Sequence, residues 1–303
     1  MTPRALELGA SLYVPATRPD LLPLANRAKY PHLRSLIFCT EDAVAERELP
    51  RALHHLEHLL AHLEPGGPLR FVRVRRPEVL RTVLQMDGVD GLTGFVLPKL
   101  TRANLDDYFD HFRPADPFLV MPTLETIDVF DARALAELRD VLVQEHYRRR
   151  ILALRIGGND LFHLLGMRRP RGRTIYQTPL AVTIAQLVTT FRPYGFDLTG
   201  PVFEYLGSPR VLEREVRSDL AYGLFGKTAI HPEQVRAIEA CYSVTARDLE
   251  MAEEILAQAA PPVFRLHDAM CEPATHRRWA EAIHERARLY GVIGARKAVL
   301  RLP

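Results

Sequence analysis

The sequence has few of the residues that hold small secreted proteins together. Its 303 residues include three cysteines, Cys39, Cys241 and Cys271. Their odd number and wide spacing match no disulfide framework and no Cys-x-x-Cys metal site. The N-terminal segment is interrupted by Arg4 and Glu7, so it lacks the apolar core of a signal peptide. Because free cysteines are typical of reducing compartments, we expect a cytoplasmic protein.

Long apolar runs and a strong charge imbalance are also lacking. No hydrophobic run approaches the roughly 20 residues that a membrane-spanning helix needs, so we expect no membrane partner. The 40 Lys and Arg residues against 37 Asp and Glu residues give a net charge of +3. That value is too small for a dedicated nucleic-acid-binding protein. The 47% hydrophobic content is typical of a globular domain.

Lysine is scarce among the basic residues. It occurs only at Lys29, Lys99, Lys227 and Lys297. At almost every other position that carries a positive charge, the sequence has arginine, whose guanidinium is permanently charged. A retained lysine is therefore a candidate for a role that arginine cannot fill.

Short apolar segments alternate with amphipathic helical patterns along most of the chain. Eight segments are candidate strands: 10–15, 35–40, 69–74, 94–98, 118–122, 151–156, 196–203 and 220–229. Nearly continuous apolar strands that alternate with helices indicate a buried parallel sheet. Eight such units predict an α/β fold, a (β/α)8 TIM barrel, over residues 1–235. The remaining residues, 236–303, predict a C-terminal helical extension that serves as an arm or lid.

Polar residues are concentrated where the candidate strands end, which is the face that carries the active site in TIM barrels. Strand ends return to solvent, and this alone makes some of them polar. It accounts less well for seven ends that carry charges of both signs. The charged residues at or near these ends are Arg18, Asp20, Glu41, Asp42, Arg73, Arg75, Lys99, Glu125, Asp160 and Lys227.

Seven short motifs follow one another over roughly residues 10–240. They are LYVPATRPD at 12–20, TEDAVAE at 40–46, FVRVR at 71–75, GFVLPKL at 94–100, PTLET at 122–126, IGGNDL at 156–161 and GKTAIHPEQV at 226–235. As an ordered set they resemble the citrate lyase β-subunit-like (CitE-like) branch of the HpcH/HpaI aldolase family. The resemblance implies a Mg²⁺-dependent carbon–carbon lyase or aldolase. It would act on a 3-hydroxy acid or acyl-CoA substrate by retro-aldol or Claisen chemistry through a metal-stabilised enolate.

Glu125 and Asp160 follow adjacent candidate strands, so their carboxylates are expected to converge at the barrel mouth. The resemblance implies that they bind Mg²⁺ or, in its place, Mn²⁺. Hard carboxylate oxygens suit Mg²⁺, which keeps its other positions for water and substrate oxygens. The structural alternatives are an ion pair with a neighbouring arginine or, for Asp160, a helix cap.

Arg73 lies inside an apolar strand, where an unpaired guanidinium would be costly. It is predicted to fix a substrate carboxylate, to pair with Glu41 or Asp42, or to do both. We take Arg73, Glu41 and Asp42 as the candidate catalytic residues, with the general base left unassigned.

Arg18, Arg75 and Lys99 complete the candidate substrate-binding residues. By resemblance, Arg18 matches an arginine that binds the acyl or phosphate portion of the substrate, and Lys99 matches a lysine after strand four. Arg75 stands where the family usually has asparagine, which leaves the substrate open. A competing hypothesis is a Schiff-base aldolase that uses Lys99 or Lys227.

The sequence predicts the ligands and subunit partners in less detail than the site residues. The arginine-rich segment 168–173 either docks a phosphate-bearing ligand, such as a CoA thioester, or is a solvated loop. Glu272 stands where relatives carry an aspartate that reaches a neighbouring subunit, and Asp268 is a second candidate for that role. By resemblance we expect a homo-oligomer, specifically a trimer, that binds a small oxo or hydroxy acid. The alternative is a non-catalytic barrel that binds a phosphorylated metabolite within a larger assembly.

Overall fold

The computed structural model describes residues 3–293. It divides into two compact units, one up to Ile238 and one from Glu239 onward. Residues 294–303 of the predicted extension, Lys297 among them, lie outside the described residues. No described helix is both long enough and apolar enough to cross a membrane.

The first unit is built on eight parallel strands. Strand β1 pairs with both β2 and β8, and a bridge between Gly200 and Lys227 closes the ring between β7 and β8. The predicted TIM barrel is thereby confirmed. The strands are β1 (Ala10–Pro15), β2 (Ser35–Cys39), β3 (Leu69–Arg73), β4 (Gly94–Leu97), β5 (Leu119–Leu124), β6 (Leu154–Ile156), β7 (Leu198–Thr199) and β8 (Lys227–Ala229).

Helices follow the strands, and all of them except the short helix Glu145–Arg148 bury apolar residues. They are α1 (Leu21–Ala25), α2 (Leu49–Ala61), α3 (Pro77–Leu84), α4 (Leu105–Phe109), α5 (Ala132–Leu142), α6 (Glu145–Arg148), α7 (Gly158–Leu164), α8 (Leu180–Phe191), α9 (Pro209–Ala221) and α10 (Pro232–Ala240). Short 3₁₀ turns are Ala5–Leu8, Glu46–Glu48, Val89–Gly91, Ile127–Phe130, Ile175–Gln177 and Arg192–Tyr194. The boundary between the two units falls within α10.

The barrel interior is apolar toward the amino ends of the strands and polar toward their carboxyl ends. Ile37, Phe71 and Met121 pack together in the core with residues of the first 3₁₀ turn. Because side chains on one face of a strand recur every second residue, the next inward positions are Arg73 on β3 and Thr123 on β5. The same alternation that fills the core thus presents polar groups toward the carboxyl ends of the strands.

The last predicted strand, 220–229, is largely wrong. Its first residues end α9, and the chain then turns through Gly223 and Gly226, whose φ angles of +75° and +82° favour glycine. Only Lys227–Ala229 form the strand β8. The apolar residues of this segment therefore belong to a helix end and a turn, which periodicity does not distinguish from a strand.

Lys227 consequently begins β8 rather than ending it, and it is fully buried. Its Nζ lies 3.0 Å from Glu215 Oε1 and 2.9 Å from Asp219 Oδ2, both on α9. A Schiff base needs a neutral amine that the substrate can reach. The hypothesis of a Schiff-base aldolase through Lys227 is therefore wrong.

The second unit is helical with two small sheets. Its elements are β9 (Val244–Thr245), α11 (Ala246–Leu256), β10 (Phe264–Leu266), β11 (Ala269–Cys271), α12 (Pro273–Tyr290) and β12 (Val292–Ile293). Ala252 and Ile255 of α11 pack against Ala280 and Ile283 of α12. The two helices confirm the predicted helical character of this region.

The hairpin β10–β11 was not anticipated. His267 and Asp268 form its turn with φ angles of +52° and +76°, as a two-residue turn of type I′ requires. Asp268 is exposed there and lies 3.4 Å from Arg265. Glu272 precedes α12 and accepts a hydrogen bond from the Thr275 hydroxyl at 3.0 Å. The role of either acid in a neighbouring subunit stays a prediction.

Candidate active site

A cavity of about 210 Å³ opens at the carboxyl ends of the barrel strands. This volume is below the roughly 300–1,000 Å³ of drug-sized ligand sites, which indicates a small ligand or the buried portion of a larger one. The charged and polar side chains that line it include Asp42, Arg73, Thr123, Glu125, Arg155 and Asp160.

Arg73 connects three carboxylates at this cavity. Its Nη2 lies 2.7 Å from Glu41 Oε2, 3.2 Å from Asp42 Oδ2 and 3.1 Å from Glu125 Oε1. Its Nε is buried and has no hydrogen-bond partner among the described residues. The structure therefore brings the predicted catalytic residues together around one guanidinium, with one of its donors left unpaired within the described chain.

Lys99 follows β4 in a left-handed conformation, with φ +49°. For a non-glycine residue such a backbone costs about 1–3 kcal/mol and is often found at functional sites. Here its N–H donates to Glu125 Oε1 at 2.9 Å. Its Nζ lies 2.7 Å from Glu41 Oε1 and 3.6 Å from Asp160 Oδ1. One residue thus links the carboxylates that follow β2, β5 and β6.

Burial and charge shift the pKa values of this cluster in different directions. Burial raises the pKa of Glu125 to about 7, because the nearby Asp160 charge adds to the desolvation and Arg73 offsets only part of it. Burial, together with the hydrogen bond to Glu41, raises the pKa of Asp42 to about 6. The pKa of Glu41 is lowered, since its hydrogen bond with Asp42 and the Arg73 and Lys99 cations outweigh burial.

The pKa of Lys99 is raised, because its hydrogen bond to Glu41 and the surrounding carboxylates outweigh partial burial. A cationic amine cannot attack a carbonyl. Lys99 therefore serves as a fixed positive charge in this arrangement, which disfavours a Schiff base there.

The donor set fits a divalent, oxygen-preferring cation. Glu41, Asp42, Glu125 and Asp160 carry four carboxylates, and the cations that pair with them are Arg73 and Lys99. Within residues 3–293 no three His, Cys, Asp or Glu side chains are grouped as a closed metal cage. Mg²⁺ needs one or two carboxylates and open positions, so Glu125 and Asp160 suffice for it whereas a structural zinc site would require more ligands.

Gly157 at the end of β6 makes room for Glu125. A Cβ atom at this position would overlap Glu125 Oε2 and lie 2.9 Å from its Cδ. Because the new Cβ would also overlap Glu125 Cβ, we expect Gly157→Ala to displace the carboxylate together with the end of β5 and to weaken Mg²⁺ binding about tenfold or more.

Calorimetric titration with Mg²⁺ measures this effect. Gly207→Ala is the matched control, because a Cβ there meets no atom within 4 Å. Equal Mg²⁺ affinity of the two variants would show that the position of Glu125 does not matter for the metal.

Arg75 does not line the cavity. Its guanidinium donates to the carbonyls of Thr40 at 3.1 Å, of Glu41 at 3.0 Å and of Val44. It therefore holds the loop that carries Glu41 and Asp42, a positioning role that the sequence pattern did not separate from substrate binding.

Arg18 also lies away from the acidic cavity. It donates two hydrogen bonds of 2.8 Å to Asp20, which also accepts one from Lys29. It lines a separate cavity of about 450 Å³ with His54 and His58 of α2. The structure thus does not bring Arg18 to the predicted catalytic residues.

The arginine-rich segment 168–173 is not a solvated loop throughout, whereas its docking of a phosphate-bearing ligand stays a prediction. Arg169 is buried, where it pairs with Glu204 at 3.0 Å and with Glu215. Arg168 and Arg171 lie over the ring of Tyr205. Part of the predicted docking segment is therefore a structural ion pair.

Arg155 was missed, although the signal that identified Arg73 applies to it. Both are arginines within apolar strands, and Arg155 on β6 is 2% exposed and lines the same cavity. Thr123, its partner in register on β5, lines it too and has a buried hydroxyl without a hydrogen-bond partner among the described residues.

The fold and this cavity define a TIM-barrel enzyme site, an acidic cluster at the carboxyl ends of the strands. The family of carbon–carbon bond lyases of the TIM-barrel fold matches residues 2–292. The chain therefore belongs to this family of carbon–carbon bond lyases and is an enzyme.

Known proteins similar to the chain are consistent with this membership. The (3S)-malyl-CoA thioesterase of Cereibacter sphaeroides is 25% identical over 248 residues, which cover 81% of each chain. The structure of CitE from Mycobacterium tuberculosis in complex with magnesium, acetoacetate and coenzyme A is 22% identical, covers 92% of this chain and 97% of that one, and has a TM-score of 0.68. A citrate lyase structure from Burkholderia xenovorans is 19% identical, covers 96% of this chain and 94% of that one, and has a TM-score of 0.73.

Proposed function

We propose that the protein is a Mg²⁺-dependent carbon–carbon lyase for 3-hydroxy acids or their CoA thioesters. The observation that carries this proposal is the convergence of Glu125 and Asp160 on one small cavity with Arg73. Family membership supports the reaction class, and the magnesium and CoA of the similar CitE structure support the cofactor and the substrate type.

Glu125 and Asp160 would hold the metal. When bound, Mg²⁺ supplies Lewis-acid stabilisation of negative charge on the oxygens of the oxo acid. The position of Glu125 is well defined, because Arg73 and the Lys99 N–H fix Oε1 while the missing Cβ of Gly157 accommodates Oε2. Mn²⁺ would suit the same oxygen ligands.

Arg73 lines the cavity and binds the carboxylate of the substrate through its guanidinium, and its pairing with Glu41 and Asp42 fixes its orientation. Lys99 balances the charge of Glu41 and Asp160. These contacts make Arg73 a substrate-binding residue and Lys99 a positioning residue.

Asp42 is the proposed general base. It lines the cavity, and a pKa of about 6 leaves it ionised at neutral pH yet close to the working pH, as efficient proton transfer requires. It takes the proton of the 3-hydroxyl group as the carbon–carbon bond breaks. The C–O bond becomes the carbonyl of the oxo acid, and the electron pair of the broken bond passes to the acyl fragment, which then takes up a proton.

Thioester hydrolysis is the second candidate, because the relatives from Cereibacter sphaeroides are named (3S)-malyl-CoA thioesterases. The same carboxylates would then activate water instead of accepting a hydroxyl proton. The trimeric assembly, the cytoplasmic location and the contribution of Asp268 or Glu272 to a neighbouring subunit stay predictions.

The products decide between these activities. We expect 3-hydroxyacyl-CoA thioesters that carry a carboxylate on the hydroxyl-bearing carbon to yield an oxo acid and a shorter acyl-CoA in equal amounts, with the reaction stopped by EDTA and restored by Mg²⁺. Mass spectrometry measures the acyl-CoA, and hydrazone formation measures the oxo acid. Free CoA with an intact hydroxy acid would identify a thioesterase instead. No turnover of the panel, together with no calorimetric Mg²⁺ binding, would favour the non-catalytic alternative.

A further inference from the structure

Arg155 differs from the other buried arginines of the described chain. The five are Arg70, Arg73, Arg150, Arg155 and Arg169. Arg70 and Arg150 donate to backbone carbonyls, and Arg73 and Arg169 pair with carboxylates. Within residues 3–293, no carboxylate pairs with Arg155. A buried cation without a counter-ion is costly, so its retention needs a reason.

The environment of Arg155 leaves most of its donors free for a ligand. A guanidinium has five N–H donors. Nη2 donates to the Thr228 hydroxyl at 2.6 Å, and Nη1 faces Met121 Sδ, a weak acceptor, at 3.8 Å. The ring of Tyr13 lies 5.4 Å from Cζ. Tyr13, Arg155 and Thr228 all line the 210 Å³ cavity.

A second polar group points to the same place. Thr123 pairs with Arg155 in register, lines the cavity, is 3% exposed, and has a hydroxyl without a hydrogen-bond partner among the residues described. Glu125 lies two residues further along the same face, a rise of roughly 6.6 Å. A small acid bound at Glu125 would therefore place its far end near Thr123 and Arg155.

We propose that Arg155, with Thr123 and Thr228, binds a second carboxylate of the substrate. The oxo acid that the enzyme forms is then a dicarboxylic one, and Arg155 determines the preference for it over monocarboxylic oxo acids. This inference rests on the proposed function, because it places the first carboxylate near Arg73 and the metal ligands. A planar guanidinium flanked by hydroxyls matches a carboxylate in a cavity too small for a larger anionic group.

Binding of two matched acids tests the assignment. Malate and 2-hydroxybutyrate have the same carbon chain, and a terminal carboxylate in malate replaces a methyl group. In calorimetric titrations with Mg²⁺ present, the unaltered protein should prefer malate by about 10- to 100-fold, as expected for a hydrogen-bonded charge pair. Arg155→Met should reduce this preference to less than about threefold and leave the affinity for 2-hydroxybutyrate nearly unchanged.

Arg133→Met is the matched control, because Arg133 is an exposed arginine of α5 and its loss changes the net charge equally. It should keep the preference for malate. If Arg155→Met fails to fold, Thr123→Val should weaken malate binding several-fold without affecting 2-hydroxybutyrate.

Three outcomes would overturn the assignment: no preference in the unaltered protein, a preference that survives in Arg155→Met, or inorganic phosphate displacing malate at equal concentration. Failure of the proposed function has a different signature. Binding of both acids would then be independent of Mg²⁺. The comparison of Arg155→Met with the unaltered protein would still show whether Arg155 binds the second carboxylate.

Discussion

Replacing Glu125 by glutamine or Asp160 by asparagine is expected to weaken Mg²⁺ binding by more than about 100-fold and to abolish turnover. Each change removes a charged ligand but keeps the shape of the side chain. Loss of groups that merely orient a ligand already costs about 10- to 100-fold in metal affinity. Because Glu125 lies between Arg73 and the Lys99 N–H, an amide oxygen there can still accept hydrogen bonds. The fold should therefore persist.

Calorimetric titration measures the Mg²⁺ affinity of each variant, and thermal unfolding shows whether the variant is still folded. Together they distinguish the loss of a metal ligand from the loss of the fold. Asp107→Asn is the control, since Asp107 is an exposed acid on α4. It should bind Mg²⁺ as the unaltered protein does. Full Mg²⁺ affinity in Glu125→Gln or in Asp160→Asn would contradict the assignment of that residue as a ligand.

The acidic cluster could be foreseen from the sequence because it depends on topology alone. In a parallel barrel all strands end on one face, so residues that follow β2, β3, β4, β5 and β6 must converge there. Topology alone thus predicts that Glu41, Arg73, Glu125 and Asp160 lie together, and the structure places them within one cluster or around one cavity. This prediction needs no knowledge of side-chain orientation.

Where orientation decides, the sequence was insufficient. Arg75 is two residues beyond Arg73, yet it turns to loop carbonyls, because the chain has left the strand at Arg73. Arg18 donates to Asp20 two residues further on. Both residues belong to the same motif, but the motif does not show how their side chains are oriented. The β10–β11 hairpin has short strands and a His-Asp turn without glycine, so no turn signal marks it.

Lys227→Met is expected to destabilise the protein by about 3–5 kcal/mol, because it breaks a buried ion pair from one side. Lys227 and Glu215 side chains are 0% exposed and that of Asp219 is 3% exposed, so water cannot replace the lost ammonium. In this variant Glu215 would still pair with the Arg169 guanidinium. Asp219 would retain only the hydrogen bond that the Tyr176 hydroxyl donates to it at 2.6 Å. Most of the loss should therefore come from Asp219.

Urea unfolding of matched variants measures this loss. Lys29→Met removes a lysine that pairs with Asp20 at 2.7 Å but is 42% exposed, so it should cost at most about 1 kcal/mol. The double variant Lys227→Met/Asp219→Asn should be less unstable than the sum of its single changes, since each removes the other's buried partner. If the losses in the free energy of unfolding were additive, the claim that Lys227 and Asp219 form a stabilising buried pair would be wrong. Equal stability of Lys227→Met and Lys29→Met would also contradict it.

The pH dependence of the loss provides an independent check. Burial already raises the pKa of Asp219 although Lys227 opposes it, and removal of the lysine should raise that pKa further. A carboxyl group whose pKa is higher in the folded than in the unfolded state gains stability as pH falls. The deficit of Lys227→Met should therefore be smaller at pH 5 than at pH 8, while that of Lys29→Met changes little between them. A deficit that is the same at both pH values would place its origin in packing rather than in an uncompensated buried charge.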